Sequence, residues 1–198
     1  MSRRIVLASD NRGKLAELSA LLVPHGWELV PQSALGVAAI EETGTTFLDN
    51  ALAKARHAAR MTGLAALADD SGLEVDALGG APGVRSARYA GEGARDADNV
   101  ARLLDALRGL PPAQRGARFR CVLVFLRHAD DPQPLVCEGV WAGRIAEEPR
   151  GMNGFGYDPV FFLPQHGCTA AELAPQVKNR LSHRGQALAA LLEKLPAL

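Results

Sequence analysis

The chain has no surplus of charge of either sign. Lys plus Arg number 22 and Asp plus Glu number 22 across 198 residues, for a formal net charge of zero. A protein that lives on duplex nucleic acid needs a basic surplus to displace counterions from phosphates. General nucleic-acid binding is therefore not expected, and any anion must be met by a local cluster of cations. Cysteine is also scarce. Cys121, Cys137 and Cys168 form no C-x-x-C pair, and an odd count is a poor disulfide framework, so reduced thiols in a cytosolic protein are expected. Long apolar runs are missing. Ile5 to Ala8, after Met1-Ser2-Arg3-Arg4, is too short for the core of a signal peptide, and nothing approaches the ~20 apolar residues a membrane helix requires. There are no internal repeats and no low-complexity tails. The expectation is a cytoplasmic protein with neither a membrane nor a nucleic acid as partner.

Hydrophobic residues make up 47% of the chain and charged residues 22%, ordinary values for a globular protein. The length suits a single domain over residues 1–198, built as one body or two lobes. Ile5 to Ala8 reads as a buried strand, passing through Ser9-Asp10-Asn11 into a helix with Leu15, Leu18 and Leu22 on one face, ended by Pro24 and Gly26. A second strand covers Glu28 to Val30. The Ala-rich stretch Phe47 to Met61 is the clearest helix, terminated by Gly63. Leu64 to Ala68 is another buried strand, broken by Asp69-Asp70 and Ser71-Gly72. A Gly/Pro-rich loop at 79–93 precedes a helix over Asp96 to Leu107. Strands over Arg118 to Leu126 and Leu135 to Ile145 pair across the 130–134 turn, Val160 to Leu163 is a further strand, and a helix over Arg184 to Leu195 follows. Strands interspersed with helices, plus one long antiparallel pair, predict an α/β fold with a mixed central sheet flanked by helices.

Ser9 to Lys14 sits where a strand becomes a helix, a junction whose free N–H groups and dipole attract phosphate. Lys14 adds a cation in the first turn, against the helix's own preference, which hints at function. The Walker A pattern is not met, since one Gly is present and Leu15 follows Lys14. Asp69-Asp70, directly after an apolar strand, places two carboxylates at the carboxyl edge of a sheet, where open α/β sheets build their sites. Such hard oxygen ligands suit Mg²⁺. Glu41-Glu42 is a second acidic pair, and Lys54 lies one helical turn beyond Asn50 on the same face. Gly154-Phe155-Gly156-Tyr157-Asp158-Pro159 combines glycines for close backbone approach with aromatics able to stack on a base. Ser182-His183-Arg184 opens the last helix with a capping Ser and two groups able to meet an anion. Each feature alone is equally compatible with an ordinary cap, turn, solvated charge or core aromatic.

Taken together and in this order, the blocks resemble the non-canonical purine nucleoside-triphosphate pyrophosphatase family, the dITP/XTP pyrophosphatases and inosine triphosphatases. The resemblance covers essentially the whole chain: Ser9 to Lys14; Glu41 to Gly44 with Phe47, Asn50, Ala51, Lys54 and Ala55; Ala68 to Leu73; Gly79 to Gly83 with Ser86 to Tyr89; Gly151, Gly154 to Pro159 and Phe161; and Ser182 to Leu188. It implies two lobes with the active site in the cleft between them, a homodimer, and hydrolysis of ITP, dITP and XTP to monophosphate and pyrophosphate, which clears the nucleotide pool before incorporation into DNA or RNA. It implies that Ser9, Asn11, Lys14 and Lys54 hold the triphosphate. Asp70 would be the catalytic carboxylate and a Mg²⁺ ligand, with Asp69 beside it, Glu41 as the second ligand and Glu42 competing for that place. Ser71, Phe155, Gly156, Tyr157, Asp158, Lys178, His183 and Arg184 would surround the nucleotide, with Arg184 donating near the six-oxo edge of the base. A Maf-type pyrophosphatase and a nucleotide-binding regulatory module are the alternatives. Asp10 and Asn153 depart from the family pattern, where small residues are usual. Asp70 is expected to be exposed at the sheet edge and to contribute little to stability.

Overall fold

The computed structural model describes residues 3–195. β1 (Arg3–Leu7) leads into α1 (Arg12–Leu22), which Asn11 caps by accepting the Lys14 N–H at 3.0 Å. The chain reverses through Gly26, whose φ of 78° is left-handed, into β2 (Trp27–Pro31). α2 (Phe47–Thr62) starts at Thr46, whose hydroxyl accepts the Asp49 N–H, and stops at left-handed Gly63. β3 (Ala66–Val75), α3 (Asp96–Ala106), β4 (Gly116–Leu126), β5 (Leu135–Ile145), β6 (Phe161–Leu163), β7 (Cys168–Thr169), α4 (Pro175–Leu181) and α5 (His183–Lys194) follow. Among the described residues no helix is long and apolar enough to cross a membrane.

The strands form one seven-stranded sheet in the order β2-β1-β3-β4-β5-β6-β7. β1 pairs parallel with β2 and with β3, whereas β5–β6 and β6–β7 are antiparallel. The sheet is mixed, as predicted. One expectation fails. The strand that was to break at Asp69 runs ten residues from Ala66 through both aspartates to Val75. Aspartate is disfavoured in strands because its charge must be solvated or paired, and here pairing with Arg184, Lys14 and Lys54 offsets part of that cost. β7 and α4 had no counterpart in the sequence reading. The first is two residues long, and the second is a seven-residue, mostly polar helix with Pro175 at its start.

The chain divides into two compact units. The first contains the chain up to Asp70, Cys121–Gly139 and the segment from His183. The second contains Ser71–Arg120 and Val140–Ser182. In the first unit, Leu18 and Leu22 of α1 and Leu188 and Leu191 of α5 close a core with Leu67, Leu123 and Phe125. A Cβ at Gly139 would overlap the His183 carbonyl oxygen, so β5 carries glycine where α5 begins. In the second unit, Phe119 and Trp141 pack on Phe161 at ring-centroid distances of 4.4 and 5.5 Å, within a core that includes Leu103, Tyr157 and Val160. The parallel pairing of β1 with β3, Leu7 opposite Leu67, is what positions the chemistry. It sets the carboxyl end of β1 beside the first residues of β3, so the start of α1 faces Asp69 and Asp70.

Candidate active site

Three cations and four carboxylates meet in the first unit. The Lys14 ammonium pairs with Asp69 Oδ1 and also lies 3.4 Å from the Asp69 carbonyl oxygen. Arg184 donates from Nε to Asp69 Oδ2 at 2.8 Å and from Nη1 to Glu17 Oε2. Glu17 stands three residues after Lys14, on the same side of α1. The Lys54 ammonium donates to Asp70 Oδ1, Glu42 Oε1 and the Asp69 carbonyl oxygen at 2.8, 2.8 and 2.9 Å. Asn50, one turn earlier on α2, donates to Asp70 Oδ2 at 3.2 Å. The Cys121 thiol on β4 lies 3.1 Å from Asp69 Oδ2.

These contacts pull the two adjacent aspartates apart in proton affinity. Burial alone would raise the Asp69 pKa, but Arg184 and Lys14 outweigh it and hold this carboxyl well below the usual range. Asp70 moves the other way. Burial pushes its pKa up, Lys54 offsets part of that, and the neighbouring Glu42 anion adds to it. Lys54 loses hydration through burial, but facing two carboxylates it is held above its ordinary pKa and stays charged. Neighbouring carboxylates with divergent affinities mark a division of roles: a permanent anion and a group able to take a proton. Burial, followed by the adjacent Asp69 charge, pushes the Cys121 thiol far up, so it stays neutral.

In the second unit, the loop 154–158 is fixed from several sides. Asp158 accepts the Phe155 N–H at 2.9 Å and pairs with Lys178 Nζ at 2.5 Å. Lys178 also lies 4.9 Å from the centroid of the Phe155 ring. Asp96 accepts the Gly156 N–H at 2.7 Å, and the Tyr157 hydroxyl donates to the Ser86 carbonyl at 2.8 Å. A Cβ on Gly154 would overlap the Asp158 carboxylate, and its φ of 76° is left-handed, so glycine is required there twice over.

A family model described as the Ham1 family matches residues 5–194. The chain belongs to the Ham1 family. It is 62% identical to a dITP/XTP pyrophosphatase of Methylococcus capsulatus, over 100% of this chain and 98% of the relative. It is 58% identical to the dITP/XTP pyrophosphatase of Escherichia coli K12, over 98% of each. Among solved structures, a HAM1 protein from Coxiella burnetii superposes with a TM-score of 0.91 at 54% identity, covering 99% of this chain and 100% of that one. The Staphylococcus aureus Ham1 protein gives 0.86 at 38% identity, covering 98% and 99%.

In this Ham1 chain the structure brings Lys14, Lys54, Asp69, Asp70 and Arg184 together, with Ser9 and Asn11 at the start of α1, where Ser9 Oγ accepts the Asn11 N–H at 3.2 Å. Asp70 is not exposed as expected. It is 5% accessible, because the strand continues past it and α2 covers it through Asn50 and Lys54. Glu42, not Glu41, pairs with Lys54. Glu41 is exposed and forms no ion pair among the described residues. Arg184 is 3% accessible and commits two nitrogens to Asp69 and Glu17, so this arrangement makes it a counterion of the cluster, not a donor held out to a base. His183, buried, is the first residue of α5.

In the second unit of this Ham1 chain, Tyr157 is 4% accessible and belongs to the core, so it does not offer a stacking face. Asp158 and Lys178 are buried against each other, whereas Phe155, Gly156 and Ser71 are half-buried. The two departures from the family pattern are accommodated. Asp10 accepts from Gln32 Nε2 and the Ser33 N–H, both at 3.3 Å. Asn153 stands at negative φ and bonds the Ala171 and Leu173 carbonyls. The sequence reading gave no part in these contacts to Glu17 or Asp96, and had Ser86 only within the block 86–89 of the resemblance. Glu17 left a trace, as an acid one turn after Lys14.

Proposed function

We propose that this chain hydrolyses ITP, dITP and XTP to the nucleoside monophosphate and pyrophosphate. The observation that carries the reading is the Asp69–Asp70 pair, one carboxylate locked as an anion by Lys14 and Arg184, its neighbour paired with Lys54 yet raised in proton affinity by burial. The names of the relatives at 58 and 62% identity supply the substrate class.

The donor set fits a small divalent cation. Asp70 and Glu42 share one ammonium, so this end of the cluster holds more negative than positive charge, and every anionic donor is a hard carboxylate oxygen. No group of three or more His, Cys, Asp or Glu side chains placed to hold a metal occurs among the described residues. The protein's share is then two carboxylates, the usual provision for Mg²⁺, which completes its shell with phosphate oxygens and water. Asp70 and Glu41 would hold Mg²⁺, with Glu42 competing for the second place once Lys54 turns to phosphate. The bound cation supplies charge neutralisation on the phosphates and a lower pKa for water.

The residues act as follows. Asp70 orients a water molecule and takes its proton. The water oxygen bonds the α-phosphorus while the bond from that phosphorus to the bridging oxygen breaks, and pyrophosphate leaves with the electron pair. Lys14 and Lys54 exchange carboxylate partners for phosphate oxygens, and the N–H groups opening α1, with Ser9 and Asn11, meet the same charge. Arg184 keeps Asp69 ionised when Lys14 turns to phosphate. Phe155, Gly156 and Ser71 of the second unit meet the nucleoside, with Tyr157, Asp158 and Lys178 holding that loop in shape and His183 supporting the start of α5. We place the protein in the cytoplasm as a homodimer without a nucleic-acid partner. The balanced charge supports the last point, and sedimentation tests the dimer.

The test is pyrophosphate release from ITP, dITP, XTP, GTP, ATP and the pyrimidine triphosphates, with and without Mg²⁺. Preference for the first three with a Mg²⁺ requirement is expected. Preference for pyrimidine triphosphates, or undiminished turnover in EDTA, would overturn the reading.

A further inference from the structure

Asn50 is 2% accessible, and both ends of its side-chain amide are used. Nδ2 donates to Asp70 Oδ2 at 3.2 Å, and Oδ1 accepts the Gly44 N–H at 2.8 Å. A carboxylate only accepts and a backbone N–H only donates, so one orientation of the amide satisfies both. Gly44 lies two residues beyond Glu42, at the end of the acidic loop. A Cβ there would stand 2.5 Å from Asn50 Oδ1 and 2.8 Å from Asp49 Cβ, an approach that only glycine permits. The two oxygens of Asp70 are thereby divided, Oδ1 to the charge of Lys54 and Oδ2 to a neutral amide.

We propose that Asn50 is a positioning residue that ties the loop carrying Glu41 and Glu42 to Asp70 and so fixes the spacing of the carboxylates that receive the cation. The proposal rests on Asp70 being the catalytic carboxylate. The demand for one donor and one acceptor on a short side chain is met by an amide. An acid would repel Asp70, a Lys would leave Gly44 N–H without an acceptor, and a serine is too short to span helix, loop and strand. Partners that orient metal-ligating carboxylates typically change metal affinity or activity by about 10–100-fold when removed.

The test uses Asn50→Ala, Gly44→Ala, Asp70→Asn and the double variant Asn50→Ala/Asp70→Asn. Two readouts are taken: Mn²⁺ binding to the nucleotide-free protein by electron paramagnetic resonance, and steady-state kinetics with ITP. Asn50→Ala should weaken Mn²⁺ binding on the order of tenfold and lower kcat by up to about 100-fold, with KM for ITP within about threefold. Gly44→Ala should reproduce both effects in milder form although it alters no carboxylate, and it keeps the test alive if Asn50→Ala does not fold. In the Asp70→Asn background, Asn50→Ala should cost less than about twofold further, because residues acting as a unit are not additive. Wild-type Mn²⁺ binding in Asn50→Ala and Gly44→Ala, or losses that multiply in the double variant, would overturn the proposal. Normal turnover by Asp70→Asn alone would instead sink the catalytic reading of Asp70, while the Mn²⁺ isotherms still decide whether Asn50 holds the loop.

Discussion

Lys54 and Lys178 both set an ammonium against an aspartate, one in each unit, and their surroundings differ in what they leave over. Lys54, its side chain 12% exposed, serves two carboxylates and a carbonyl oxygen, so it only partly offsets the burial that raises the proton affinity of Asp70. Lys178, 5% exposed, meets Asp158 beside the Phe155 ring, and Asp158 also accepts a backbone N–H of the same loop. The first arrangement keeps charge in excess and partners that can be exchanged. The second is closed and holds a loop in shape. Burial of an ion pair therefore does not by itself mark chemistry, whereas an imbalance of charge around it does.

If that contrast holds, breaking each pair should give opposite results. Asp70→Asn should lower kcat with ITP on the order of 10³-fold, in the range set by loss of a general base, while the melting temperature stays nearly unchanged. Ionised Asp70 is disfavoured by burial, so a neutral isostere costs the fold little. A stopped assay with a melting curve on the same sample checks both halves. Lys178→Ala should instead destabilise by about 3–5 kcal/mol, because Asp158 is left buried without its cation. Urea unfolding measures this, and Lys178→Met with Asp158→Asn should recover most of it.

Lys14→Ala should raise KM for ITP roughly tenfold and also slow kcat, since an interaction with the leaving pyrophosphate strengthens in the transition state. Inhibition by the monophosphate product should change far less, and equal weakening of both would place Lys14 away from the outer phosphates.

The pH dependence separates the aspartates by sign. Asp69 has a depressed folded-state pKa, so its stabilisation is fully present above the unfolded value near ~4 and is lost as pH falls through the folded value. Asp69→Asn should accordingly flatten the acid end of the stability curve. Burial raises the Asp70 pKa in the metal-free protein and bound Mg²⁺ would draw it down, so raising the Mg²⁺ concentration should move the acid limb of kcat/KM to lower pH, a shift absent from Asp70→Asn. The smallest effect belongs to Tyr157→Phe, which removes the bond to the Ser86 carbonyl and should cost about 1 kcal/mol by urea unfolding without altering kcat.

The helices α1 and α2 were legible because local signals agree: a capping Asn11 or Thr46, an apolar face, and a glycine beyond the end. The face shared by Asn50 and Lys54 followed from helical spacing, and both reach Asp70. What periodicity could not show was that β3 continues through Asp69 and Asp70, since the cations that permit it come from Lys14, Lys54 and Arg184, up to 115 residues away. The same limit hid the fate of Arg184. A helix-start arginine reads as a free anion binder until Glu17 and Asp69 are seen on either side. Tyr157 looked like a platform beside two glycines, and only the packing of the second unit turns it inward.

The Cys121 thiol, buried beside the Asp69 carboxylate, equips the protein with its own clock. Only a thiolate attacks a thiol reagent, and this sulfur is kept protonated and out of solvent. Its modification must wait until the cluster around Asp69 opens. Half-buried Cys168 in the second unit should react first, and with the likewise buried Cys137 replaced by Ser the later reaction of Cys121 then times how often the first unit opens around Asp69 and how far added ITP slows it.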